Sequence, residues 1–176
     1  MNKAHLIWAL GCFFFCGPGS FFGCNHNTRV NKKPLAPPPR KGPLKLVLPS
    51  VDHAVFRLSS LRGKVVILNF FSTGCVPCQA LFSRILKVRA AVGENRVGVV
   101  AVSVDRQRLF VKPYVETLSL PFAVLYGKLA TMRTLGLTSS LIVPTTVILD
   151  RRGRPRYLHQ NLITTRKLAA EVQSLL

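Results

Sequence analysis

Two cysteines separated by two residues, Cys75-Val76-Pro77-Cys78, are the side chains of this sequence best suited to covalent chemistry. They follow an apolar run at 65–71 and open a stretch in which Cys78, Leu81, Phe82, Ile85 and Leu86 recur at helical spacing. A thiol at the start of a helix faces unpaired backbone N–H groups and the positive end of the helix dipole, both of which favour thiolate over thiol. Thiolate is the species that attacks a disulfide. Pro77 suits the first helical turn, where a missing N–H costs nothing. One turn of helix sets Cys78 beneath Cys75, close enough for the two sulfurs to join. Cys75 is therefore assigned as nucleophile and Cys78 as resolving thiol. The blander readings of a bare C-x-x-C are half a zinc site or a pair of buried small side chains. A zinc site needs further ligands, and His53 and His159 stand far apart with no ligand-like spacing. Neither a metal nor a cofactor is called for.

The other cysteines set the compartment. Lys3 supplies a small positive region, and 6–16 is apolar apart from Gly11, before the breaker Gly17-Pro18-Gly19-Ser20. This run is too short to cross roughly 30 Å of hydrocarbon comfortably but fits the apolar region of a secretory signal. Phe21-Phe22-Gly23-Cys24 resembles a bacterial lipobox, with Phe where Leu is usual. The expectation is a lipoprotein-type signal peptide at 1–23 and lipidation of Cys24. Cleavage nearby without lipid is one alternative, and a poor transmembrane anchor running to Phe22 with the breaker inside it is the other. Cys12 and Cys16 would leave with the signal, so only Cys75 and Cys78 remain for the folded part. A structural disulfide framework would need more pairs at wider spacing.

The 176 residues suffice for one domain plus targeting and linker segments, and 48% apolar content allows an ordinary core. The 25 Lys and Arg against 6 Asp and Glu point toward a polyanionic neighbour. The cations are spread from Arg29 to Lys167 with no dense basic block interleaved with aromatics, so nucleic acid is not the expected partner. Arg151, Arg152, Arg154 and Arg156 are read first as a solvated hairpin rim, with lipid headgroups or an acidic partner as the alternative. Pro34, Pro37, Pro38, Pro39 and Pro43, with Lys and Arg between them, make 24–43 a basic, semi-rigid spacer. The folded domain is expected at 44–176.

Within it, strands are expected at 54–58, 65–71, 97–104, 122–126 and 145–149. The last turns through Asp150-Arg151-Arg152-Gly153 into a partner at 156–159. The helix after Cys75 is followed by one at 105–118, capped by Asp105 and divided by Pro113. A short helix at 128–135 would be ended by Gly136, and a closing helix capped by Thr164 or Thr165. Parallel strands with crossover helices in front and an antiparallel pair behind give an α/β fold, a mixed central sheet with helices on both faces. Phe70, Phe71, Phe82 and Phe110 are read as core.

Three stretches, LRGKVVILNFF at 61–71, CVPC at 75–78 and VPTTVILD at 143–150 with the following Gly153, resemble the TlpA/ResA-type branch of the thioredoxin superfamily. Those proteins are exported or membrane-tethered redoxins, and the likeness runs from about residue 58 to 176. It implies a thioredoxin-like fold, a cis Pro144 opposing the cysteine pair, and backbone hydrogen bonds from Val143 to a bound substrate. It also implies thiol–disulfide exchange on exported proteins such as apocytochrome c or copper-centre assembly proteins, with reduction as the first reading and oxidation or isomerisation as the alternatives. The implied partners are those disulfide-bearing proteins, a membrane electron donor, and the lipid bilayer through the N-terminal anchor. The implied location is the periplasmic face of a bacterial membrane. Copper handling and thiol peroxidation on the same fold are the competing functions. Copper chaperones of this kind use a wider cysteine spacing and a placed His. Peroxidases of the peroxiredoxin type have Pro and Thr where Leu68 and Ser72 stand.

Three positions depart from the family pattern. Gly74 replaces a Trp before the first cysteine, which opens the site. Leu81 replaces a Glu three residues after the second. Asn69 stands where thioredoxin has a buried Asp. Neither carboxylate is there to take the proton from Cys78.

Overall fold

The computed structural model describes residues 42–137 and 142–176. The signal expected at 1–23, the lipidation expected at Cys24 and the expected spacer up to residue 41 lie outside the described residues. Among those described, no helix is long and apolar enough to cross a membrane.

Every residue of β3 (Val65–Phe71) and β4 (Val97–Ser103) is buried. That is why both read as continuous apolar runs: a strand inside a parallel sheet has no wet face. They pair in parallel from Val65↔Val97 to Phe71↔Ser103. β5 (Ala123–Tyr126) adds in parallel to β4. On the other side β6 (Thr145–Leu149) runs antiparallel to β3, and β7 (Pro155–Gln160) antiparallel to β6. The resulting order is β5-β4-β3-β6-β7.

Alternation along β3 sends Val65, Ile67 and Phe71 to one face and Val66, Leu68 and Phe70 to the other. The first face is covered by α1 (Val76–Val92), α2 (Val111–Thr117) and α4 (Thr165–Gln173), which contribute Leu81, Phe82, Ile85, Val111, Leu168 and Val172. Each such buried side chain is worth about 1.5–3 kcal/mol of transfer free energy. Val88 rather than Leu86 completes the α1 stripe. The second face is covered more lightly, by Met132 of α3 (Leu129–Thr134), by Leu135 and Leu137 after it, and by Leu44, Leu46 and Leu58.

Those last leucines flank a small antiparallel ribbon, β1 (Val47–Pro49) with β2 (Val55–Arg57). β2 falls within the strand expected at 54–58, whereas β1 is new. Helix caps also match the reading: Thr164 accepts from the Lys167 N–H, and Gly136, at φ 63°, follows α3.

Two expectations fail. Phe110, read as core, is 53% exposed, because it sits at the end of a 3-10 turn that buries none of its residues. No helix starts at Asp105. A 3-10 turn at Arg108–Phe110 leads into α2, which starts at Val111. Pro113 therefore sits in the first turn of α2, where N–H groups have no intrahelical partner, and divides nothing. The Asp105 carboxylate is used elsewhere.

Candidate functional site

β3 ends at Phe71, and Cys75 N–H donates to the Ser72 carbonyl at 3.1 Å, turning the chain into α1. Cys75 is the N-cap residue of α1, in extended conformation. Its sulfur joins that of Cys78 in a disulfide, with S–S 2.02 Å and Cα–Cα 5.3 Å. The Cys78 backbone N–H, one of the donors a helix start leaves over, points at Cys75 Sγ at 3.2 Å. That contact stabilises negative charge on Cys75 Sγ whenever the disulfide is open.

The two sulfurs differ in access. Cys78 is fully buried in the core under α1, at 0% exposure, while Cys75 is only half-buried. Val76, 78% exposed, and Pro77 form the outer rim. Gly74 is exposed, and a Cβ built on it would meet no atom within 4 Å. The approach on the Gly74 side is open.

Thr145 pairs with Phe70, which brings the preceding Val143-Pro144 beside the end of β3 and the loop that carries Cys75. The Val143–Pro144 peptide bond is cis. The segment is held by Thr145 Oγ1 donating to the Ile142 carbonyl at 2.6 Å and by Asn161 N–H donating to the Pro144 carbonyl at 2.9 Å. Val143 packs on the same apolar cluster as Cys75.

Asp105 is the residue that sequence reasoning misplaced. Its carboxylate accepts the Thr73 N–H at 3.1 Å, the Thr73 hydroxyl at 2.9 Å and the Ser103 hydroxyl at 2.8 Å. It thereby fixes the loop two residues before Cys75. Beside it, burial first and the Asp105 charge second hold the Tyr114 phenol above its ordinary pKa. The Tyr114 hydroxyl is enclosed with no hydrogen-bond partner among the described residues, and its ring stacks on Phe71 at 6.0 Å.

Asn69 lies fully buried on the Cys78 side of β3. Its Nδ2 donates to Thr146 Oγ1 at 3.0 Å, and its Oδ1 has no partner among the described residues. Leu81 is fully buried core, so the position where ResA-type proteins have Glu carries no acid here. Asn69 is the single polar residue of β3, so that strand offers the cysteine pair an amide and no carboxylate.

A five-stranded mixed sheet with an accessible and a buried cysteine joined across the first turn of a helix defines a thioredoxin-like dithiol protein. The AhpC/TSA family profile matches residues 43–158, and the chain belongs to that family. Among its relatives, the thiol-disulfide oxidoreductase ResA of Oceanobacillus iheyensis is 32% identical over 125 residues, covering 71% of this chain and 64% of the relative. The chain thus spans just under two thirds of that relative's length. ResA of Geobacillus thermodenitrificans is 25% identical over 129 residues, 73% of each chain. A Chlorobium tepidum structure provisionally named as the thiol:disulfide interchange protein DsbE superposes with TM-score 0.65 at 27% identity, covering 77% of this chain and 96% of that one. A DsbF homologue from Corynebacterium diphtheriae gives TM-score 0.68 at 21% identity, with coverage of 77% and 86%, and shares the fold.

Proposed function

We propose that the protein is a thiol–disulfide oxidoreductase that reduces disulfides in exported proteins. The observation that carries this reading is the asymmetry of the pair: one sulfur reachable at a helix start, its partner buried one turn below. In the reduced enzyme the Cys75 thiolate attacks a substrate S–S bond. That bond breaks, one substrate sulfur leaves as a thiol, and the other stays joined to Cys75. Cys78 then loses its proton and attacks Cys75 Sγ, which closes the enzyme disulfide and frees the second substrate thiol. Two electrons have passed to the substrate. A dithiol donor at the membrane returns the enzyme to its starting state.

Val143 and Pro144 line the approach to Cys75 and are assigned to backbone contact with the substrate. Gly74, Val76 and Pro77 shape the mouth. The lead sequence supports export, with Cys24 as lipid attachment point and 24–43 as tether on the periplasmic face of a bacterial membrane. Likeness to ResA-type redoxins makes apocytochrome c a candidate substrate.

Insulin reduction tests the reading. Cys75→Ser should abolish turnover, and Cys78→Ser should accumulate a mixed disulfide on Cys75. Full activity in Cys75→Ser would defeat the assignment. Incorporation of labelled lipid into the wild type but not Cys24→Ser tests the anchor.

A further inference from the structure

The end of the sheet opposite the disulfide collects cations. The β6–β7 hairpin carries Arg151, Arg152, Arg154 and Arg156, all exposed. Arg151 Nε donates to the Gly63 carbonyl at 2.9 Å, and Gly63 N–H returns a bond to the Arg151 carbonyl, so Arg62 and Lys64 flank the hairpin. The Arg62 guanidinium lies against Gly153, where a Cβ would otherwise stand. Gly153 adopts φ 71°, a conformation that glycine takes without strain. Arg96 joins the cluster because its carbonyl accepts the Val65 N–H at the first residue of β3. Lys45 joins it because the adjacent Leu44 N–H donates to the Gly153 carbonyl at 2.8 Å.

Little negative charge opposes them. Asp150 Oδ1 is engaged by the Arg152 and Arg154 N–H groups, each at 2.9 Å, and holds the turn. Glu94, in the loop that precedes β4, is paired with Arg89 at 3.1 Å. Among the described residues, none of the clustered cations makes an ion pair with a carboxylate.

The position of Leu44 says what faces this pole. The chain enters the domain there, directly after a segment that carries Arg29, Lys32, Lys33, Arg40 and Lys41. In sequence, the basic lead therefore joins the domain at the residue that binds this pole. We propose that this pole binds an anionic phospholipid surface. β3 runs away from it for 7 residues, roughly 20 Å at about 3.3 Å per residue, before the chain turns to Cys75. Contact through the pole thus turns the disulfide toward the aqueous space, within reach of exported substrates and of a donor domain that projects from the membrane. Screening limits such attraction to about 8 Å at physiological salt, so the cluster itself has to touch the headgroups.

Vesicle co-sedimentation of the full chain tests this. Three proteins are compared on phosphatidylcholine vesicles with and without 30% (on the order of physiological anionic content) phosphatidylglycerol. They are the wild type, the R152E/R154E/R156E variant at the pole, and the R106E/R133E/R166E variant, which makes the same charge change toward the disulfide end. The lead segment is common to all three. The pole variant should bind anionic vesicles at least tenfold more weakly than wild type, with the control within about twofold, and high salt should erase the difference. Equal loss in both variants would reduce the effect to net charge and overturn the proposal. So would pole-variant binding equal to wild type on anionic vesicles. Insulin reduction by the pole variant should equal wild type, which separates this surface from the redox site.

Discussion

Asp105 receives both the backbone N–H and the hydroxyl of Thr73, at 3.1 and 2.9 Å, and so ties the loop that presents Cys75 to the end of β4. Ser103 closes the arrangement from the strand itself, at 2.8 Å. A charged acceptor with three donors in a partly buried site is a strong fastening. It acts through Thr73 on where the Cys75 sulfur sits, not on the sulfur directly.

Asp105→Ala should therefore lower stability by at least about 2 kcal/mol, because one hydrogen bond to a charged group is worth roughly 1.5–3 kcal/mol and the carboxylate holds three donors. The thermal midpoint should fall by several degrees, and insulin reduction by roughly tenfold as Cys75 loses its fixed position. Asp105→Asn, which keeps one acceptor oxygen, should recover part of both. Calorimetry and turnover on the same preparations check the pairing of the two effects.

Tyr114→Phe should leave stability at neutral pH within about 1 kcal/mol of wild type, since the hydroxyl it removes has no partner among the described residues. At alkaline pH the two should part. The folded protein holds the phenol proton more tightly than the unfolded chain does, so the wild type keeps its full stability below about pH 10 and loses it as pH rises through the raised folded value. The phenylalanine variant lacks that ionisation. Urea midpoints at pH 9 and above should show a shallower decline for it.

Asn69→Asp should fold less stably at pH 8 than at pH 5. The site is fully buried, and burial disfavours a carboxylate's charged form. A folded pKa above the unfolded value gives stability that is present at low pH and lost as pH rises through the folded value. Urea denaturation at the two pH values reads this directly, and a pH-independent midpoint would contradict it.

Gly74→Trp should fold within about 0.5 kcal/mol of wild type, because a Cβ there meets nothing within 4 Å. It should also slow reduction of a protein disulfide more than that of a small aromatic disulfide, since the new ring narrows the approach. Equal slowing of both substrates would place the effect on Cys75 itself.

The legibility of this chain follows the range of its interactions. β3, α1 and β6 announce themselves through local periodicity, and the Cys75-Cys78 spacing carries its meaning within one helical turn. β1 has only 3 residues and pairs with the equally short β2, too little for any alternation to show. Asp105 looked like a helix cap because an acidic residue after an apolar strand so often is one. Its true partner, Thr73, lies 32 residues earlier, and only the parallel register of β3 on β4 brings them together. The basic pole is hidden for the same reason, since Arg62, Arg96 and the hairpin arginines meet only across the sheet.

The reactivity of the two thiols in the reduced protein tests the central claim most directly. Limiting iodoacetamide at neutral pH, followed by peptide mass spectrometry, measures how fast each sulfur is alkylated. The half-buried sulfur at the helix start should react at least tenfold faster than its fully buried partner, so label should accumulate on Cys75. Equal labelling, or label mainly on Cys78, would contradict the assignment of Cys75 as the attacking group.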